Sequence, residues 1–126
     1  MGNISKVLLI LKNMVYESTS PQEIIRMARY YQKKGIDVTV VLFGPMGAIF
    51  GKKNKHGAPS YDEKISECID IGVEIKCCDL AASMVGLKQE ELIKGIEIVP
   101  SHELADLFLE YHENNNLILT FLSFIY

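Results

Sequence analysis

Gly72-Val73-Glu74-Ile75-Lys76-Cys77-Cys78-Asp79-Leu80-Ala81-Ala82 passes from a strand pattern to a helix pattern within its own length. Val73 and Ile75 alternate with Glu74 and Lys76, as on a pleated strand, and Asp79 to Met84 is compatible with a helix. The strand is expected to run from Val73 to Cys77 or Cys78. A thiol at the carboxyl end of a strand, just ahead of a helix N-terminus, sits where open α/β sheets bind ligands. The positive end of the helix there favours the thiolate.

The same alternation of strand and helix extends in both directions. Upstream, Val7 to Leu11 is a continuous apolar run of the kind that fills a strand covered on both faces. Ser20-Pro21-Gln22-Glu23 combines a hydroxyl cap, a proline at the first helical position and a glutamate at N3, and Gly35 closes the helix. Asp37 to Phe43 is a second strand, and Ser60-Tyr61-Asp62-Glu63 opens a second helix that stops at Gly72. The stretch from Gly44 to Pro59 reads as a long, locally basic loop. Downstream, Leu87 to Ile93 reads as a helical turn or two and Ile96 to Val99 as a fourth strand. Ser101 is expected to cap a helix that buries Leu104, Ala105, Phe108 and Leu109, and Asn114-Asn115-Asn116 leads into a fifth strand. Connections of this length predict an α/β fold, a three-layer α/β/α sandwich around a five-stranded, mainly parallel sheet.

Composition narrows the function. The chain has 126 residues, which predicts a single domain spanning 1–126. It is 48% hydrophobic and 23% charged with a net charge of −3, so it reads as globular and lacks the basic excess of a nucleic-acid binder. Three cysteines, two of them adjacent, make a poor disulfide framework and point to reduced thiols in the cytoplasm. The five-residue apolar run from Val7 is too short for a signal-peptide core, and the ten apolar-rich residues from Leu117 cannot span a bilayer as a helix. No membrane association is expected.

Cys78 is the candidate nucleophile. Alternation places Cys77 on the side of Val73 and Ile75, packed in the core, and leaves Cys78 as the residue positioned to leave the sheet. Asp79 is placed to cap the helix, but its charge opposes a neighbouring thiolate. Cys68 falls on the apolar face of the second helix. Asn13 after the first strand, Gly44 and Met46 after the second, and His102 after the fourth are candidates to line the same cleft. The cysteines and histidines show neither C-x-x-C nor H-x-x-x-H spacing, so no metal is expected. Gly47-Ala48-Ile49-Phe50-Gly51-Lys52-Lys53 has one residue too few for a phosphate loop and lysine where Ser or Thr would hold magnesium. No G-x-G-x-x-G follows the first strand, so no cofactor is expected. Lys52, Lys53, Lys55 and His56 form a basic cluster, either a solvated loop or an anion-attracting surface.

From Gly72 the chain resembles the DsrE/DsrF-like family. A strand ends in cysteine, a short helix contains Ala and Ser, and a Gly86-Leu87 pair precedes Glu91-Leu92-Ile93-Lys94-Gly95 and the strand Ile96-Glu97-Ile98-Val99. The resemblance implies a sulfur carrier, with a persulfide held on Cys78 and passed between donor and acceptor proteins. It also implies a homo-oligomer, a trimer or hexamer. Pro100-Ser101-His102 stands where small residues often follow the fourth strand in the family, which re-lines the cleft. The competing reading is a non-catalytic oligomeric binding or regulatory module with packed cysteines. The apolar residues Phe121, Leu122, Phe124, Ile125 and Tyr126 are expected to be buried in the core or in an interface.

Overall fold

The apolar run near the N-terminus forms β1 (Lys6–Leu11), in which Val7, Leu8, Leu9 and Leu11 have no exposed surface. A strand is dehydrated in this way when neighbours flank it and helices cover both faces. β1 pairs in parallel with β2 (Asp37–Leu42) on one side and β5 (Leu117–Phe121) on the other. β3 (Glu74–Cys78) pairs with β2, and β4 (Ile96–Val99) with β3, giving an all-parallel five-stranded sheet of order β4-β3-β2-β1-β5. The computed structural model describes residues 4–12, 20–53 and 59–121.

Side-chain alternation decides which helix lies on which face. Val40, Leu42, Ile75 and Ile96 pack toward Ile24 and Ala28 of α1 (Ser20–Lys33) and toward Ile65 and Cys68 of α3 (Pro59–Asp70). Thr39 points the other way, and its hydroxyl accepts a hydrogen bond from buried Tyr111 of α5 (Ser101–Glu113) at 3.2 Å. The sheet is therefore sandwiched, with α1 and α3 on one face and α5 on the other. α1 and α3 begin one or two residues earlier than their sequence signals, within the ordinary uncertainty of helix ends.

Three differences from the sequence-based expectation bear on the site. The stretch read as a loop after β2 contains a helix, α2 (Pro45–Phe50), with Gly44 as N-cap, Pro45 in the first turn and Gly51 as C-cap. Six residues are too few to display a helical period. α2 crosses the end of β1 so closely that a Cβ on Gly47 would meet the Leu11 carbonyl oxygen at 2.8 Å. Next, α5 buries Leu104 and Tyr111 and half-buries Leu107 and Phe108, while Ala105 and Leu109 face solvent. The core stripe follows i, i+3, i+4 and i+7 from Leu104, and Ala105 and Leu109 belong to the adjoining stripe. Finally, Ser101 is the first helical residue of α5 instead of its cap. Pro100 occupies the N-cap position without a side-chain cap bond, and its carbonyl accepts the Glu103 and Leu104 amide protons.

The segment after α4 (Asp79–Met84) closes the β4 edge. It forms one 3-10 turn, Gln89–Glu91, from which the Gln89 side chain reaches the outer rim of β4. Its amide nitrogen donates to the Ile96 carbonyl at 2.6 Å and its amide oxygen accepts from the Ile98 N–H at 2.9 Å. The opposite edge, β5, keeps Leu117, Ile118, Leu119 and Phe121 half-buried. Leu122, Phe124, Ile125 and Tyr126, expected to be buried in the core or an interface, lie outside the described residues, as do Lys55 and His56 of the basic cluster. Lys52 instead forms an isolated antiparallel bridge with Leu92.

Candidate active site

The two adjacent cysteines close β3 and diverge. Cys77 shares the register of Leu42 and Ile98, on the α1–α3 side of the sheet, and is completely buried. Its Sγ lies 3.7 Å from the Cys78 carbonyl oxygen, a weak contact. Burial foremost, and the neighbouring Cys78 second, push its thiol up to about 11. Cys68 is likewise buried in α3, its Sγ 3.8 Å from the Ile25 carbonyl oxygen, and burial raises its thiol as well. Neither supplies a thiolate near neutral pH.

Cys78 is the next residue along the pleat and points to the α5 side. Its backbone is extended, and it occupies the N-cap position of α4. Asp79, expected to be that cap, is the first residue of the helix. Its Oδ1 accepts the Leu80 amide proton at 2.7 Å. The Cys78 sulfur lies 3.8 Å from the Ser101 hydroxyl, and that hydroxyl lies 3.4 Å from Asp79 Oδ1.

Sequence reasoning placed Cys78 as a residue leaving the sheet, yet it is only 4% exposed. The cause is local: Gly44 and Pro45 at the start of α2, Leu80 and Ala81 of α4, and Ser101 of α5 converge around it. Together with Lys12, Phe43 and Met84 they enclose an open pocket of about 290 Å³, with Cys78 among its lining residues. Three helices thus begin around one sulfur at the carboxyl edge of the sheet. The rim is apolar and exposed: Phe43, Leu80 and Met84 all show large accessible surface, and Phe43 packs against Phe108 with ring centroids 5.9 Å apart.

The other sequence candidates divide. Gly44 lines the pocket; Met46 lies in the first turn of α2; Asn13 is outside the described residues. His102 is exposed on the first turn of α5 and is not among the lining residues, and its neighbour Ser101 takes that position. Ser101 was missed because a serine at a helix start with a glutamate in the first turn reads as a cap. The preceding proline was the available signal that the cap site was already filled. Among the described residues no cluster of His, Cys, Asp and Glu could hold a metal ion.

The fold and this edge define an α/β domain with one cysteine lining an open pocket at the carboxyl end of an internal strand. The chain belongs to the DsrE/DsrF-like family, whose model matches residues 5–114. Two uncharacterized archaeal proteins are similar to it. One, MK0008 of Methanopyrus kandleri, is 28% identical over 82% of this chain and 86% of its own length. The other, MJ0989 of Methanocaldococcus jannaschii, is 28% identical over 90% and 97%. Among solved structures, the ychN protein from E. coli shares the fold with a TM-score of 0.80 at 20% identity, covering 94% of this chain and all of that one. MTH1491 from Methanobacterium thermoautotrophicum, of unknown function, aligns with a TM-score of 0.70 at 14% identity over 91% and 97%.

Proposed function

We propose that this protein is a cytoplasmic sulfur carrier that holds a persulfide on Cys78 and passes it to an acceptor thiol. The observation that carries the reading is the division among the three cysteines. Cys68 and Cys77 are packed and held protonated, whereas Cys78 lines an open pocket at the sheet edge beside a hydroxyl. In the loading step the Cys78 thiolate attacks the outer sulfur of a donor persulfide, R–S–SH. A new S–S bond forms to Cys78, the donor S–S bond breaks, and the donor leaves as the thiolate R–S⁻. Discharge is the same exchange in reverse sense, with the acceptor thiolate attacking the outer sulfur and Cys78 leaving as thiolate. Such exchange depends on thiolate character and access, so no separate acid and base pair is required. Donor and acceptor are proteins that present a persulfide or thiol to the apolar rim of Phe43, Leu80 and Met84.

The carrier acts as a single domain that assembles as a homo-oligomer, a trimer or hexamer. Size-exclusion chromatography with light scattering tests this, and monomer alone at micromolar concentration would oppose it. No helix among the described residues is long and apolar enough to cross a membrane.

The near-complete burial of Cys78 favours a second reading, an oligomeric binding or regulatory module whose cysteines only pack. Intact mass after incubation with a persulfide donor separates the two. The carrier gains one sulfur atom, loses that gain in Cys78→Ser and keeps it in Cys77→Ser. Absence of any gain in the wild type assigns the protein to the binding class.

A further inference from the structure

The hydroxyl of Ser101 has no role in holding its own helix, because Pro100 occupies the N-cap position and α5 has no side-chain cap bond. The hydroxyl lies between two acceptors, Asp79 Oδ1 at 3.4 Å and Cys78 Sγ at 3.8 Å. A serine has one proton to donate and can serve one of them at a time. Both separations are long for their type, so neither arrangement is held firmly and exchange between them costs little. Asp79 keeps the Leu80 amide proton at 2.7 Å whichever way the hydroxyl turns.

We infer that Ser101 is a positioning residue that turns its proton from Asp79 to Cys78 whenever that sulfur becomes anionic. The inference rests on the sulfur-carrier reading and deepens it. With Cys78 as a thiol, the weak S–H donor faces Ser101 Oγ and the hydroxyl proton faces Asp79. Deprotonation of the sulfur makes it an ionic acceptor like the Asp79 carboxylate. The preference then passes to the sulfur, because Asp79 Oδ1 already accepts the Leu80 amide proton whereas Ser101 is the one donor facing the sulfur among the described residues. Cys78 is a thiolate twice in each cycle, when it attacks the donor and when it leaves the outer sulfur on the acceptor. In both states Ser101 donates to the sulfur and offsets part of the opposing charge of the Asp79 carboxylate. No bond to Ser101 forms or breaks, and its proton stays on oxygen throughout.

The test is the pH profile of Cys78 alkylation by iodoacetamide in the full chain, with persulfide loading and discharge followed by intact mass. Ser101→Ala is expected to move the alkylation midpoint upward and to slow both alkylation at pH 7 and discharge by about 3- to 10-fold, the range one hydrogen bond supplies. Ser101→Thr keeps the hydroxyl and restores the wild-type profile, and Asp79→Asn moves the midpoint downward. Ser101 is exposed and caps nothing, so the thermal melt of Ser101→Ala stays at the wild-type midpoint. A Ser101→Ala profile that superimposes on the wild type, or one that Ser101→Thr fails to restore, overturns the inference. Shifted profiles in a protein that takes up no sulfur sustain the hydroxyl's role and remove the carrier reading. Sulfur uptake with unshifted profiles does the reverse.

Discussion

Cys77 and Cys78 are covalent neighbours in different surroundings, because each step along a pleated strand turns the side chain to the other face. Alkylation of the native protein at pH 8, followed by peptide mapping, is therefore expected to label Cys78 and spare Cys68 and Cys77. Equal labelling of all three would show that the packed sulfurs are reached by solvent. Cys77 also couples stability to pH. An ordinary thiol titrates near 9.0, and in the folded protein that of Cys77 is pushed up to about 11 by burial and then by Cys78. Between those values the unfolded chain has released a proton that the folded chain still holds. The contribution is complete below pH 9 and is lost as pH rises toward 11. Denaturant melts of the wild type should weaken over that window. Cys77→Ala, although less stable at pH 8, should decline less steeply, by up to about 2 to 3 kcal/mol. Parallel declines would assign the alkaline loss elsewhere, for instance to Cys68 or to Tyr111, whose phenol burial also pushes up.

Two short elements each rest on one residue, α2 beside the site and the 3-10 turn at the β4 edge. In α2, Gly47 breaks a preference, since alanine in a helix interior is ordinarily better by roughly 0.5 to 1 kcal/mol. Here the added methyl would stand 2.8 Å from the Leu11 carbonyl oxygen, a backbone atom that cannot turn aside. Overpacking of this kind costs about 1 to 3 kcal/mol, so the clash outweighs the helical gain. Gly47→Ala should lower the melting temperature and, by shifting Gly44 and Pro45, change the rate of Cys78 alkylation. A higher melting temperature would show that α2 moves freely. At the other side of the sheet, Gln89 serves as one residue of an absent strand. Gln89→Ala removes both of its bonds to β4, at a cost of about 1 to 3 kcal/mol, and should speed hydrogen exchange at the Ile98 amide. Gln89→Glu keeps the acceptor for that amide and loses the donor to Ile96, so exchange at Ile98 should stay slow in that variant.

At the scale of the whole molecule, the succession of elements was legible because strands buried on both faces leave unbroken apolar runs, as Val7 to Leu11 does. Helices of twelve residues or more announce themselves by period and by glycine stops such as Gly72, whose φ of +109° admits no other residue comfortably. α2 escaped because six residues carry no period and two glycines bracket its middle and end. The site was legible in its cysteine and illegible in its hydroxyl. Strand alternation singles out Cys78 from local sequence alone, whereas the approach of Ser101 depends on α5 crossing back to the far side of the sheet, a contact 23 positions away.

The two rims of the sheet are unlike, and this constrains how copies can be counted. Gln89 occupies the bonding groups of β4, while β5 has no outer strand partner among the described residues. Among the described residues strand-by-strand association is therefore open at the β5 rim alone, and two copies joined there would present blocked rims. Growth stops at a pair, so the sheet is a terminating unit and not a fibre template. Threefold symmetry cannot arise by that route, since open rims join two at a time. The proposed trimer would instead be closed through helices and loops.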